Sequence, residues 1–299
     1  MIASLDRFFW FIRERDRIRR KRERREPFPW TDDPILSKYR FTNIYRMDDR
    51  VSKHWLRTVH DHYLPYRKDY AEPLVRETMI YRTFVHPDTF ELLEDELEEW
   101  DWKRAAKTLG RIHAKGVPYH TNAYTISACG SKNPKHLTLC ANLAMALEHV
   151  SSIVQVIRET RSIEQTVKYM DHHADGFSMF TAYEVATDLR HTALLSKAVD
   201  IHTWANPGPG CQLGLHLLHG RPLTKTNKPS AAQEEQYVAE MRELLVESQR
   251  PGRLGKWMAP FEMRDIENCL CEFSKYERCR LGLSRPRNRF VPPEQRRAA

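Results

Sequence analysis

The chain has 299 residues, 41% of them apolar, enough for one large or two modest domains with a real core and too apolar for disorder. Its 48 Lys and Arg against 40 Asp and Glu leave a net charge of +8 and a pI near 9.2, which favours a polyanionic partner, nucleic acid before membrane. No run reaches the apolar length that spans a bilayer, and six cysteines without a C-x-x-C pair argue against a disulfide framework, a zinc site or an iron–sulfur site.

The charge excess is concentrated at the start, where residues 1–26 hold 10 Lys or Arg and 5 Asp or Glu. Phe8–Ile12 is too short and too soon interrupted for a signal peptide or anchor. Residues 13–25 lack glycine and proline and read as a solvated basic helix, either a mere charged face or a DNA arm. The arm, 1–29, ends at Pro27-Phe28-Pro29-Trp30, where two prolines begin an extended connector. From Tyr39 to His62 the apolar residues Phe41, Ile44, Tyr45, Val51, Trp55 and Leu56 recur at helical spacing. An acidic helix follows from Pro87 to Trp102, then a basic one to Lys115. Residues 137–169 read as two amphipathic helices, and Gly176 opens a further segment, 177–189.

Next comes a stiff turn, Asn206-Pro207-Gly208-Pro209-Gly210, and the leucines after it (Leu213, Leu215, Leu217, Leu218) start a new helix. Free amides at a helix start, backed by the dipole, are a phosphate site; the plainer reading is an ordinary corner. A polar loop over 220–236, a helix at Glu234–Glu247, a breaker at Pro251-Gly252 and a last helix at Met263–Arg280 complete the pattern. Nothing alternates as a strand does. The fold class is all-α.

Three clusters could carry chemistry. On the last helix Asp265, Asn268 and Glu272 share a face, near Glu267 and Lys275. A carboxylate there could stabilise positive charge developing on a sugar or activate water; alternatively Asp265 caps the helix and Glu272 pairs with Lys275. Asn43, Arg46 and Arg50 share a second face, and both residue types read phosphates and base edges. Tyr119–Tyr124, with Asn122, suits stacking against an extruded base. His172 and His173 diverge on a helix and no H-E-x-x-H occurs, so neither metal nor cofactor is expected. No G-x-x-x-x-G-K-[ST] is present, which argues against an autonomous P-loop kinase.

Five segments occur in order across residues 40–276: Phe41–Arg46 with Asp49–Ser52; Asn122 with Tyr124; Ala182–Glu184 with Asp188-Leu189; Asn206–Gly210; and Asp265–Asn268 with Leu270–Tyr276. Together they resemble the alpha-glutamyl/putrescinyl thymine pyrophosphorylase group. That group comprises helical proteins similar to helix-hairpin-helix DNA glycosylases. It includes phage enzymes of thymine hypermodification, the helical part of 5-hydroxymethyluracil DNA kinases, and bacterial glycosylases that excise alpha-glucosylated hydroxymethylcytosine.

The resemblance implies a helix-hairpin-helix domain over 30–299, its lobes at roughly 30–170 and 171–299 with a cleft between them. It implies double-stranded DNA with a modified base as partner. Asn206, Gly208, Gly210, Gln212 and Arg50 would grip the DNA. Tyr39, Tyr45 and Tyr124 would stack on the flipped base; Asn43, Arg46, Asp49, Asn122, Glu272 and Lys275 would bond it. Asp265 or Glu267 would be catalytic. Gln212 and Leu213 stand where bifunctional glycosylases place a lysine, so the expectation is a monofunctional glycosylase. It would be a cytoplasmic, monomeric enzyme of anti-phage defence. Two alternatives remain: a hypermodification transferase acting on activated 5-hydroxymethyluracil in phage DNA, and a non-enzymatic DNA-binding module.

Overall fold

A computed structural model of the chain describes residues 2–63, 70–120, 133–174, 176–226 and 228–291. The helices are α1 (Ile2–Glu23), α2 (Pro34–Lys38), α3 (Arg50–Trp55), α4 (Asp61–Tyr63), α5 (Ala71–Phe84), α6 (Pro87–Leu92), α7 (Trp102–Ala114), α8 (Lys135–Leu147), α9 (Val150–Thr160), α10 (Ile163–His173), α11 (Met179–Leu189), α12 (Pro209–His219), α13 (Ala231–Ser248) and α14 (Met263–Arg280). The single β contact among the described residues is an isolated bridge between Tyr39 and Arg289. The all-α expectation holds. No single described helix is long and apolar enough to cross a membrane.

The chain forms two compact units: Met1–Asp49 with Ile201–Ala299, and Arg50–Asp200. These boundaries differ from the arm at 1–29 read from composition and from the lobes at 30–170 and 171–299 that the resemblance implied. In the first unit the basic helix is not a solvated arm. Phe8, Phe11, Ile12 and Arg15 recur at three- and four-residue spacing and lie on one inward face, the three apolar ones fully buried. Phe8 meets Phe273 of α14 edge-on at 5.3 Å between ring centres, and Phe11 lies 4.9 Å from the Tyr276 ring. Only the outer face carries the exposed charge.

The closest helix contact in this unit is α12 on α14. A Cβ at Gly210 would strike the sulfur of Cys271, and one at Gly214 would strike the backbone carbonyl of Leu270. Both glycines are therefore packing residues, whereas the N-cap Gly208 has φ −58° and open space around it. Behind the turn Gln212 is fully buried. Its Nε2 donates to the carbonyls of Pro207 (2.7 Å) and Thr226 (2.9 Å), and its Oε1 accepts from the Thr226 amide. The C-terminal strand of chain returns to the connector: Arg40 N donates to Asn288 O and Phe290 N to Lys38 O, with Phe290 against Phe28 and Trp30.

The second unit is organised around α5, which is buried over most of its surface. Sequence periodicity gives no sign of it, because a helix covered on nearly all sides has no polar stripe. Arg82 on α5 and Asp188 on α11 form a buried two-pronged ion pair, with Arg82 Nη2 at 2.7 Å from Asp188 Oδ1. Asp200 caps α10, accepting from Ser162 Oγ and the amides of Ile163 and Glu164. Residues 137–169 hold parts of three helices rather than two, broken at His149 and at left-handed Arg161. The acidic stretch from Pro87 is α6 and a 3-10 turn at Glu94–Glu96, since crowded like charges oppose one long helix.

Gly214→Ala forces α12 off the α14 backbone and is expected to cost about 1–3 kcal/mol in urea unfolding. Gly208→Ala, with open space and an ordinary φ, stays within about 0.5 kcal/mol of wild type.

Candidate functional site

The α14 face identified from sequence is real, but a neighbouring segment of chain occupies it. Residues 39–49 are not helical; they run extended from Tyr39 to a 3-10 turn at Arg46–Asp48. Side chains take up the backbone groups that a helix would have paired, the usual way such segments escape helix. Asn268 Nδ2 donates to the carbonyls of Asn43 (3.0 Å) and Ile44 (3.1 Å), and its Oδ1 accepts from Thr42 Oγ1. Glu272, buried and paired with Lys275, accepts from the Thr42 amide at 3.3 Å. From α1, Arg15 Nη2 donates to the carbonyls of Thr42 (2.5 Å) and Asn43 (3.2 Å).

The segment then closes on itself. Asp49 Oδ1 accepts from the Asn43 amide (3.3 Å) and from Asn43 Nδ2 (2.9 Å). Burial raises the Asp49 carboxyl above the ordinary aspartate range, against the opposing pull of the Asn43 bond and the Arg46 and Arg15 charges. Tyr45 donates its hydroxyl to Ala259 O at 2.7 Å and packs edge-on against Phe261; burial, then the Asp265 charge, pushes its ionisation up. A carboxylate that holds its proton more tightly than usual, an amide and a guanidinium are thus gathered within seven residues. Such a set can hydrogen-bond a pyrimidine edge or a hydroxyl and accept a proton from it.

The other expected residues fall differently. Asp265 caps α14: its carboxylate accepts from the Glu262 amide at 2.9 Å in a reciprocal capping box. Glu267 pairs with Arg264 at 2.9 Å one turn away. Tyr39 is buried and its backbone forms the bridge to Arg289. Gly210 faces α14 and Gln212 ties the turn to residue 226, so the turn is built by packing, not by the needs of an anion. Asn206 accepts from the Gly208 amide. Arg50 is exposed and opens the second unit, and Asn122 and Tyr124 lie outside the described residues. Sequence reasoning missed Arg15. Its spacing from Phe8, Phe11 and Ile12 was the available signal that it points inward.

Among the described residues no group of three or more His, Cys, Asp or Glu could hold a metal ion. Cys269 and Cys271 are pushed up to about 12, chiefly by burial, so both stay thiols at neutral pH.

The model of the 5-hmdU DNA kinase helical domain matches residues 3–284. The chain belongs to that family. A curated relative, a 5-hmdU DNA kinase of Bacillus phage SP10, is 33% identical over 208 residues, 64% of this chain. The chain covers 32% of that relative's length. No solved structure matches. Membership in the 5-hmdU DNA kinase helical family places the chain within a phage DNA-hypermodification group. It also overturns the excision reading: both findings name a kinase, a transferase, and neither names a glycosylase. The hydrolytic roles given to Asp265 and Glu267 fall with it; the transferase acting on activated 5-hydroxymethyluracil is the nearer of the expectations, though phosphorylation is a different reaction.

Asn268→Asp keeps the shape but sets a carboxylate against two carbonyls; unfolding should show a loss of about 1–3 kcal/mol. For Asp49 the sign runs the other way. Its folded carboxyl is raised, so ionisation above its unfolded value disfavours the fold, and protonation as pH falls through the folded value relieves that. Asp49→Asn is therefore expected to be at least as stable as wild type at pH 7, with the gap closing as melting is repeated at lower pH.

Proposed function

We propose that this chain acts in the phosphorylation of 5-hydroxymethyldeoxyuridine in DNA, engaging the modified strand and presenting the hydroxymethyl group for transfer. The observation that carries this is the match to the 5-hmdU DNA kinase helical domain along residues 3–284. A net charge of +8 supports a DNA partner.

In the reaction the hydroxymethyl oxygen attacks the γ-phosphorus of a nucleoside triphosphate, the bond to the β–γ bridging oxygen breaks to release the nucleoside diphosphate, and the hydroxyl proton passes to solvent. Little covalent chemistry falls to the protein; positioning and charge carry most of the catalysis. On the DNA side, the Asn43–Asp49 pair is the arrangement suited to the hydroxymethyl group. Asp49 would accept its hydrogen bond and orient the oxygen, Asn43 holds the carboxylate in place, and Arg46 adds positive charge nearby. The α14 residues Asn268, Glu272 and Lys275 serve by fixing the segment rather than by touching the base.

Binding of the full chain to fluorescent oligonucleotides differing in one base, 5-hydroxymethyluracil or thymine, tests this. A hydrogen bond to the added hydroxyl is worth about 1 kcal/mol, so the modified DNA should bind about fivefold more tightly. Asp49→Ala should remove the preference while leaving binding to the thymine DNA in place. Equal affinity of wild type for the two DNAs would sink the proposal.

A further inference from the structure

Trp257, in the loop between α13 and α14, is 43% exposed, yet its ring is fixed from three sides. Its Nε1 donates to Oδ2 of the buried Asp16 at 2.8 Å, while Asp16 Oδ1 holds Arg19 at 2.9 Å. Gly255 lies against the ring, and a Cβ there would come within 2.6 Å of two of its atoms. Arg13 Nη1 donates to the carbonyls of Gly252 (2.9 Å) and Arg253 (2.7 Å), tying the loop to α1. Over this fixed ring lie the guanidiniums of Arg17 and Arg20, one helical turn apart, at 5.9 and 5.8 Å from the ring centre.

Arg17 shares its charge with Glu14 at 3.0 Å. No carboxylate lies within ion-pair distance of Arg20 among the described residues, and Lys256, the residue before Trp257 in the chain, is exposed. Further along the same helix Arg22 lies over the Trp30 and Phe290 rings, and just past its end Arg25 is exposed while Arg24 pairs with Glu26 at 2.7 Å. An arginine held over an aromatic ring by cation–π attraction keeps its N–H groups available, and less rotamer freedom is lost when those groups meet a phosphate. Several such cations spaced along one helix suit a ligand with regularly spaced negative charge.

We propose that Arg17, Arg20, Lys256 and the Trp257 platform form a contact for the DNA phosphate backbone, separate from the Asn43–Asp49 segment and indifferent to the base. This rests on the DNA partner of the preceding section and adds where the backbone is held. Its physical content is that Trp257 acts through the arginines it positions, and the arginines act through charge.

The test is fluorescence anisotropy of the full chain on duplexes carrying thymine or 5-hydroxymethyluracil, repeated across a series of salt concentrations. Each phosphate contact contributes about 0.9 to the slope of log affinity against log salt, so Arg17→Gln with Arg20→Gln should flatten the slope by about 2. Trp257→Ala, which removes no charge, should weaken binding several-fold, and Trp257→Phe should restore part of the loss. Both losses should be equal on the two DNAs, with melting temperatures confirming folded variants. Wild-type affinity and slope in the variants would overturn the proposal, as would loss confined to the modified DNA or no DNA binding by wild type. A wild type that binds both DNAs equally, with the variants weakened on both, would support this contact while removing the modified-base reading. A preference for modified DNA that survives with unchanged affinity in the variants would do the reverse.

Discussion

The first unit depends on how closely α12 can lie against α14. Leu270's carbonyl occupies the space where a side chain at 214 would stand, and the sulfur of Cys271 does the same at 210. Two glycines one turn apart on a helix let two backbones meet without an intervening side-chain layer, which fixes their separation and leaves little freedom to slide. Everything functional in the unit is then referred to α14. Its apolar side receives α1 through Phe273 and Tyr276, and its polar side receives the Thr42–Ile44 segment through Asn268 and Glu272.

That division explains why a dense polar face on a helix is not itself a catalytic site. Buried polar groups must find partners, and on α14 they find backbone. Asn268 takes up two carbonyls and Glu272 one amide, so their work is to hold an irregular segment that could not support itself. One step further out, on the segment, Asn43 and Asp49 bond each other, with the Arg46 charge acting on the Asp49 carboxylate. A loop carrying the chemistry and a rigid helix positioning it is the common division of labour.

Much of the architecture was legible in the sequence. The helical spacing of α11 and α14, the proline–glycine turn before α12 and the absence of alternation led to an all-α chain, and the ordered motifs led to a phage DNA-hypermodification group, though not to the glycosylase-like members named within it. What failed did so for identifiable reasons. α5 left no stripe because it has no wet side. Residues 39–49 have helical spacing, but spacing is silent about the tertiary hydrogen bonds from Asn268, Glu272 and Arg15 that draw the backbone out straight. Gly210 looked like an anion-binding glycine because the residue type is the same whether the approaching atom belongs to a phosphate or to a cysteine. Asp265 had two readings from the start, and the capping one is what the geometry shows. An all-α fold says nothing by itself about excision or transfer, and only the family match separates them.

The first unit is assembled from the two ends of the chain, with the second unit inserted between Asp49 and Ile201. During synthesis the inserted unit can complete its core as soon as its own contiguous residues have emerged. The aromatic face of α1 has no such option, because its partner α14 is made some 250 residues later. At about 5–20 residues per second the wait is on the order of ten to fifty seconds. For that interval Phe8, Phe9, Phe11 and Ile12 lack the α14 face that covers them in the folded unit. The α1 aromatics thus make productive folding of the first unit wait on α14, a helix far along the chain.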